Sequence, residues 1–401
     1  MLQNWKFLPG FLVLLFYLPA CTLSAPKILP PTPPIPTDES IQVPTPAPTA
    51  TRLPEQITGL SGPVLSLSYD PHNPAGLYAL LATNDLYYTE DRGNTWQRLP
   101  IPTSPLRYDQ DVQATCPPPM QFDIRPSVTT PGRLWVRASQ TLYLSNDGGM
   151  TWLRQLDNVN SWTASLDGQR LYALRSSFTT GIDGLYSSQD GGKNWELVFS
   201  GLLPEIAPSS LKPRRPGCIS LALGPDEQSL YMGGPGGIYR SFDQGETWEI
   251  FDTGLPVAPD EINRVSLMVS DGRQTLYILF GAGEDEEAAA HMIRLVLGEN
   301  NPDQDHWRAI GSDLLARITQ PEAVSFFGLY ALVPELSVNG QLYLGSEEGA
   351  LLSQDYGETW MPIELPVPGR ITRIAPSSEK EPMLYLWTGD SLQIYRRPGS
   401  S

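Results

Sequence analysis

Several residue types that build common functional sites are scarce in this chain. Its 401 residues include three cysteines and three histidines, too few for a zinc finger, an iron–sulfur cluster or a histidine-rich metal site. Charged residues make up 18%, and 27 basic against 44 acidic side chains give a net charge of −17. Because a nucleic-acid-binding protein needs a basic face, we predict no nucleic-acid partner. We also predict no metal and no cofactor.

Turn-forming residues, in contrast, are abundant. The chain has 40 prolines and 35 glycines, which is far from the composition of a helical bundle or a coiled coil. Hydrophobic residues reach 40%, enough to bury a core in one large domain or two small ones.

The N-terminal segment predicts export to a membrane surface. Lys6 supplies a positive charge, and the mostly apolar residues 7–20 are too short for a spanning helix, which needs about 20 residues. The segment ends in Leu18-Pro19-Ala20-Cys21, which resembles the bacterial lipobox, although Pro19 departs from the small or aliphatic residue usual there. The resemblance implies that residues 1–20 are a signal peptide removed before a lipidated Cys21. The alternative is an ordinary secretory signal that ends near a cysteine.

Residues 21–56 are dominated by proline and threonine. Proline lacks an N–H group and restricts φ, so this segment is predicted to be an extended, semi-rigid stalk rather than a helix or a sheet. Together with Cys21, it predicts a protein of the bacterial cell envelope, outside the cytoplasm and tethered to the membrane by lipid.

One motif returns five times in the body of the chain, residues 57–401. Each copy has a serine or threonine, an aspartate two positions later, a glycine two positions after that and a tryptophan three positions further on. Successive copies lie 43–56 residues apart, except for a double interval before the last, where His306-Trp307-Arg308 fits a degenerate copy. This period is typical of propeller blades. The copies contain Asp91, Gly93 and Trp96; Asp147, Gly149 and Trp152; Asp190, Gly192 and Trp195; Asp243, Gly245 and Trp248; and Asp355, Gly357 and Trp360.

Short strands accompany the motif. Aromatic and aliphatic residues bounded by glycine and proline indicate antiparallel strands, and four such strands per repeat predict an all-β fold. We predict a single β-propeller of seven four-stranded blades, with six or eight remaining open. Residues 57–60 are expected to supply the outer strand that the seventh blade lacks. Seven leucine–aromatic pairs mark one strand of each blade: Leu77-Tyr78, Leu134-Trp135, Leu171-Tyr172, Leu230-Tyr231, Leu276-Tyr277, Leu342-Tyr343 and Leu384-Tyr385.

The motif Ser-x-Asp-x-Gly-x-Thr-Trp resembles the Asp-box, or bacterial neuraminidase repeat. That repeat occurs in propellers of sialidases, xyloglucanase-type glycosidases, sortilin-type receptors and photosystem II assembly factors, so the resemblance implies the fold and leaves the activity open. The residue types suggest a mechanical role, because an aspartate can accept hydrogen bonds from its own turn and glycine tolerates positive φ. Tryptophan is then expected to pack between neighbouring blades.

Two long blade-joining loops, residues 99–120 and 200–217, contain the candidate binding face. Long loops on a rigid framework are often functional, although simple insertion is the alternative. We predict a polar patch for a peptide or glycan, against the alternative of solvated ion pairs, and a disulfide between Cys116 and Cys218, against two buried thiols. The patch comprises Arg107, Tyr108, Asp109, Asp111, Arg214 and Arg215.

The sequence favours a binding protein over an enzyme. The Phe-Arg-Ile-Pro signature of sialidases is absent, and in its nearest approach, residues 122–126, Arg125 is displaced and predicted to end an inner strand. A glycosidase needs two opposed carboxylates, of which Asp109 or Asp111 could be one, but xyloglucanase-type enzymes pair two propellers. We therefore predict a monomeric, non-catalytic protein that binds a protein, peptide or polysaccharide. The alternative is a cell-surface glycoside hydrolase.

Overall fold

Seven antiparallel sheets make up the part of the chain that the computed structural model describes. The described residues are 56–57, 59–102, 123–177, 181–200, 219–234, 236–270, 275–282, 289–298, 302–315, 329–334, 340–365, 369–377 and 383–396. The predicted signal peptide, residues 1–20, and the stalk up to residue 55 lie outside them.

The first four sheets follow one another along the chain. A two-residue strand, β1 (Gln56–Ile57), precedes the first blade. The strands of these blades are β2 (Val64–Tyr69), β3 (Leu77–Leu81), β4 (Leu86–Thr89) and β5 (Trp96–Leu99); β6 (Ile124–Pro126), β7 (Leu134–Ala138), β8 (Thr141–Ser145) and β9 (Leu153–Leu156); β10 (Val159–Ala164), β11 (Leu171–Ser177), β12 (Gly181–Ser188) and β13 (Glu196–Ser200); and β14 (Ser220–Leu223), β15 (Leu230–Gly234), β16 (Gly237–Ser241) and β17 (Glu249–Ile250).

Three further sheets complete the ring. Their strands are β18 (Ile262–Ser270), β19 (Leu276–Ala282), β20 (Ala289–Val296) and β21 (His306–Ile310); β22 (Leu329–Pro334), β23 (Leu342–Ser346), β24 (Ala350–Ser353) and β25 (Met361–Pro362); and β26 (Arg373–Pro376), β27 (Met383–Trp387) and β28 (Leu392–Arg396). In each blade every strand pairs antiparallel with the next in the chain. This confirms the predicted all-β class and the seven-bladed propeller.

Helical structure is minor. In the described ranges it consists of α1 (Ser312–Leu315) and two 3-10 turns, Pro259–Glu261 and Pro302–Gln304. None of the described helices has the length and apolarity to cross a membrane.

The leucine–aromatic pairs explain how the blades pack. Consecutive residues of a strand point to opposite faces, so leucine and its aromatic neighbour enter two different cores. In the second blade, Leu134 packs against the first blade and Trp135 against the third. The same division holds for all seven pairs, whose members are all buried. The result is seven apolar cores, each shared by two adjacent blades.

The ring closes by this same packing, and the prediction that residues 57–60 complete the seventh blade is wrong. Instead, β1 pairs antiparallel with β5 at the outer edge of the first blade, and the described seventh sheet has three strands. Leu77 of the first blade and Tyr385 of the seventh share one core, so side chains make the closure. Arg373 of the seventh blade also donates a hydrogen bond to the carbonyl oxygen of Leu65.

Candidate functional site

The turn between the third and fourth strands is built alike in five blades, and we call it the repeated turn. In the second blade Asp147 accepts hydrogen bonds from the backbone N–H groups of Met150 (3.0 Å) and Thr151 (2.8 Å). It also accepts bonds from the hydroxyls of Thr151 (2.6 Å) and Ser145 (2.9 Å). In all five turns the opening serine or threonine hydroxyl accepts the glycine N–H at 2.8–2.9 Å. The aspartates are therefore bonded within their own turns.

This bonding changes the acidity of the aspartates. Burial opposes ionisation of Asp147, but the hydrogen bonds from Thr151, Ser145 and Met150 outweigh it and hold the pKa of this carboxyl below its usual value. The pKa values of the other four aspartates are lowered by the same balance. All five are consequently ionised at neutral pH.

The glycine and tryptophan of the repeated turn tie each blade to the one before it. Gly149 has φ +93°, and a Cβ atom there would lie 2.6 Å from Leu99 of the preceding blade. Only glycine meets both conditions without strain. Trp152 packs against the core that the first and second blades share. The repeated turn is therefore an inter-blade joint as well as a tight turn.

The repeated turns define one face of the ring, which we call the turn face. Their backbone binds the turns between the first and second strands, for example from Arg92 N–H to Ala75 O (3.0 Å) and from Gly148 N–H to Gly132 O (2.7 Å). The blade-joining loops leave from the opposite face, which we call the joining face, because each strand runs antiparallel to the last.

The predicted polar patch and disulfide lie outside the described residues. This applies to Arg107, Tyr108, Asp109, Asp111, Arg214 and Arg215, to Cys116 and Cys218, and to Cys21. Their flanks are described: β5 ends at Leu99 and β6 begins at Ile124, while β13 ends at Ser200 and β14 begins at Ser220. The two segments thus connect the first blade to the second and the third to the fourth, as the sequence predicted.

A cavity of about 270 Å³ lies on the axis of the ring, and all seven blades contribute to its wall. Its lining comes from the C-terminal halves of the inner strands, at the end of the channel nearest the turn face. The wall includes residues 67–69, 124–128, 162–166, 221–224, 333–334 and 374–376, with Val269. Side-chain hydroxyls bind adjacent inner strands together, as Ser161 does by accepting the N–H of Leu221 at 2.9 Å.

Among the described residues that line the cavity, Arg125 is the one with a positively charged side chain. It lies within the inner strand β6, opposite Trp135 of β7, one residue before the strand end at which it was predicted. Its Nη2 donates a hydrogen bond to the carbonyl oxygen of Ser165 in the third blade, at 3.2 Å. Burial lowers the pKa of Arg125 to about 10, while the charges of Glu227 and Asp167 oppose that fall. The guanidinium is therefore still protonated at neutral pH.

The two acids whose charges act on Arg125 are bonded to other groups. Glu227 forms an ion pair with Arg170 (3.3 Å) and accepts the N–H of Leu166. Asp167 accepts the hydroxyl of Ser165 (2.5 Å) and the N–H of Gln169 (2.9 Å). Sequence reasoning did not assign Arg125 or Glu227 to a site. The available signal was a charged residue inside a segment predicted to be an inner strand.

A second charged group lies at the start of β6, toward the joining face. Asp123 is buried and pairs with Arg137, whose Nη2 lies 2.6 Å from the carboxylate. Arg137 also donates to the carbonyl oxygen of Asn160 in the next blade, at 2.7 Å. Burial raises the pKa of Asp123, and the charges of Arg137 and Arg373 oppose that rise. This group links the first strands of the second and third blades.

Metal coordination finds no support in the described ranges, where no group of three or more histidine, cysteine or acidic side chains is placed to hold an ion.

Comparisons with known proteins identify the fold. No protein-family model matches the chain, and no curated protein matches it in sequence. Solved structures do match. An ancestral GH74 enzyme has a TM-score of 0.60 at 13% identity, over 88% of this chain and 47% of that one. The GH74 xyloglucanase from Xanthomonas campestris has a TM-score of 0.58 at 16% identity, over 86% and 54%.

A third similar structure is Kuenenia stuttgartiensis hydrazine synthase, with a TM-score of 0.51 at 12% identity over 84% of this chain and 96% of that one. The chain thus spans about half the length of the two GH74 enzymes. At these identities the likeness shows the propeller fold alone.

Proposed function

We propose that this protein is a membrane-anchored, extracytoplasmic propeller that binds a protein, peptide or surface glycan without transforming it. The observation that carries the proposal is the state of the carboxylates beside the channel. Asp123 is paired with Arg137, Glu227 with Arg170, and Asp167 is bonded within its turn. Glycoside hydrolysis needs one carboxyl free to give a proton and a second free to act on the sugar or on water. These three acids serve as structural ties instead.

We further propose that the repeated turns are Asp-boxes with a purely structural role. Each aspartate is bonded inside its own turn, and each turn joins a blade to its neighbour. A rigid ring built this way suits recognition by the two long loops predicted at residues 99–120 and 200–217. The alternative, a surface glycosidase, would use Asp109 or Asp111 of the first of these segments.

Replacing Arg214 and Arg215 together with alanine tests the proposed binding face. We expect recovery of a partner captured from envelope extract to fall at least about tenfold, because two charged contacts are lost, with little change in melting temperature. The matched control removes two exposed charges elsewhere, Arg154→Ala with Lys193→Ala, and should leave recovery unchanged. Equal recovery from both variants would remove this face from consideration. Turnover of fluorogenic glycosides that disappears on replacing Asp109 or Asp111 would support the glycosidase instead.

The lipid anchor has its own test. Cys21→Ser is expected to move most of the protein from the membrane fraction to the soluble fraction, because the thiol that carries the acyl chains is lost. Cys116→Ser is the control, since the prediction gives that cysteine no role in anchoring. Continued membrane association of the Cys21 variant would mean that another segment provides the anchor.

A further inference from the structure

We infer that the axial cavity binds a small carboxylate with an apolar body, and that Arg125 holds the carboxylate. The site lies at the turn-face end of the channel, whereas the proposed partner binding uses loops of the joining face. It is therefore a second binding function, independent of the first.

The hydrogen bonding of Arg125 leaves capacity for a ligand. A guanidinium has five N–H donors in a fork that matches a carboxylate. Among the described residues Arg125 makes one hydrogen bond, to Ser165, and has no carboxylate in ion-pair distance. The same side chain lines the cavity.

The neighbouring acids do not satisfy this charge directly. Both carboxylate oxygens of Glu227 are used, one by Leu166 and the other by Arg170, and Asp167 is bonded to Ser165 and Gln169. A partly buried cation without a direct counter-ion loses hydration that nothing replaces, and an entering anion offsets that loss. The arrangement of the cavity therefore favours an anionic ligand.

The rest of the wall determines what kind of anion fits. Leu67, Trp162 and Ile374 line the cavity, whose surface is largely apolar. Glu227 also lines it, but its carboxylate is paired with Arg170, so the wall carries no unpaired negative charge from this residue. A cavity of about 270 Å³ is near the lower end of the range for small-molecule pockets, which suits a molecule of about ten non-hydrogen atoms. Inorganic phosphate would leave most of this apolar surface uncovered, whereas a monocarboxylate with a ring or short chain would bury it.

The test is calorimetric titration of the full chain with phenylacetate and with its neutral amide, phenylacetamide. We expect phenylacetate to bind and the amide to bind at least about tenfold more weakly, because a charge-assisted hydrogen bond is lost while shape is kept. Inorganic phosphate at the same concentration should not displace phenylacetate. Affinity should be constant between about pH 6 and about pH 8, where both the carboxylate and Arg125 stay charged.

Three variants locate the site. Arg125→Gln should weaken phenylacetate binding at least about tenfold. Ser68→Phe should abolish it by filling the cavity while Arg125 remains. Arg133→Gln is the matched control: Arg133 also donates to a backbone carbonyl, that of Gly191 at 2.8 Å, but it is not part of the cavity wall.

Three results would overturn the inference. They are equal affinity for phenylacetate and phenylacetamide, unchanged binding in Ser68→Phe, and no phenylacetate binding up to about 10 mM. The first and third use the unaltered chain, so they decide the matter even if a variant fails to fold. None of them bears on capture by Arg214 and Arg215, which is measured separately.

Discussion

Replacing Trp307 with alanine is expected to lower the free energy of unfolding by about 3–5 kcal/mol, the usual cost of deleting a buried tryptophan. Trp307 is 1% exposed and lies in the core shared by the fourth and fifth blades. Its ring lies 5.2 Å from that of Phe251 and 5.9 Å from that of Tyr231, and its Nε1 donates to the carbonyl oxygen of Phe251 at 2.8 Å. The substitution leaves a large cavity and an unpaired carbonyl between two blades.

The measurement is urea unfolding. The dependence of the free energy of unfolding on urea concentration is compared between variants, since an unchanged dependence shows that stability alone has changed. Trp307→Phe is one control, because it keeps most of the aromatic packing and removes the N–H donor. Trp195→Ala is a second, because Trp195 is only partly buried and donates to a side chain, that of Gln155 at 3.1 Å. Both should lose less stability than Trp307→Ala. A loss below about 1 kcal/mol for Trp307→Ala would contradict the assigned packing.

Replacing Asp147 with alanine is expected to lower the free energy of unfolding by about 1.5–3 kcal/mol, the range for hydrogen bonds to a charged group. The variant loses the acceptor of two backbone N–H groups and two hydroxyls in one turn. Asp157→Ala in the same blade is the control. It removes an exposed ion pair with Arg154, worth less than about 1 kcal/mol, and one hydrogen bond from the Thr141 hydroxyl, so it should lose less stability than Asp147→Ala. An equal loss of stability in the two variants would mean that the hydrogen bonds of the repeated turn stabilise the protein no more than exposed contacts do.

The same turns predict a pH dependence. The pKa values of the five turn aspartates are lowered in the folded state, so their contribution to stability is fully present above the unfolded value of about 3.9. It is lost as the pH falls through the lower folded values. Urea unfolding between about pH 5 and about pH 2.5 should show this fall, and Asp147→Ala should show a shallower one. If the free energy of unfolding fell equally with pH in both proteins, the role given to the Asp147 carboxylate would be contradicted.

The order and number of blades could be predicted because they depend on local patterns. The repeat period and the seven leucine–aromatic pairs mark one blade each, and the structure confirms seven blades. The degenerate copy could also be found, since Trp307 keeps its place in β21 although the aspartate and glycine are absent. These features follow from strand periodicity and turn chemistry within about fifty residues of chain.

The candidate site could be predicted only in part. The long segments between the first and second blades, and between the third and fourth, are visible as interruptions of the repeat. The axial cavity is not, because its wall takes between one and six residues from each of seven blades, spread over more than 300 residues of the sequence. The surroundings of Arg125 include the charges of Asp167 and Glu227, which act on it only when the third and fourth blades pack beside the second.

The sequence by itself thus determined the fold class and the internal form of each repeated turn and favoured seven blades, because these rest on contacts between near neighbours in the chain. The tertiary structure alone decided how the ring closes and where a cation is left facing a cavity. The N-terminal strand does not complete the seventh blade as expected. Instead β1 pairs with β5, and the apolar core around Leu77 and Tyr385 joins the first blade to the seventh. Which sheet edge a short strand joins depends on the ring as a whole, since both edges offer the same backbone groups.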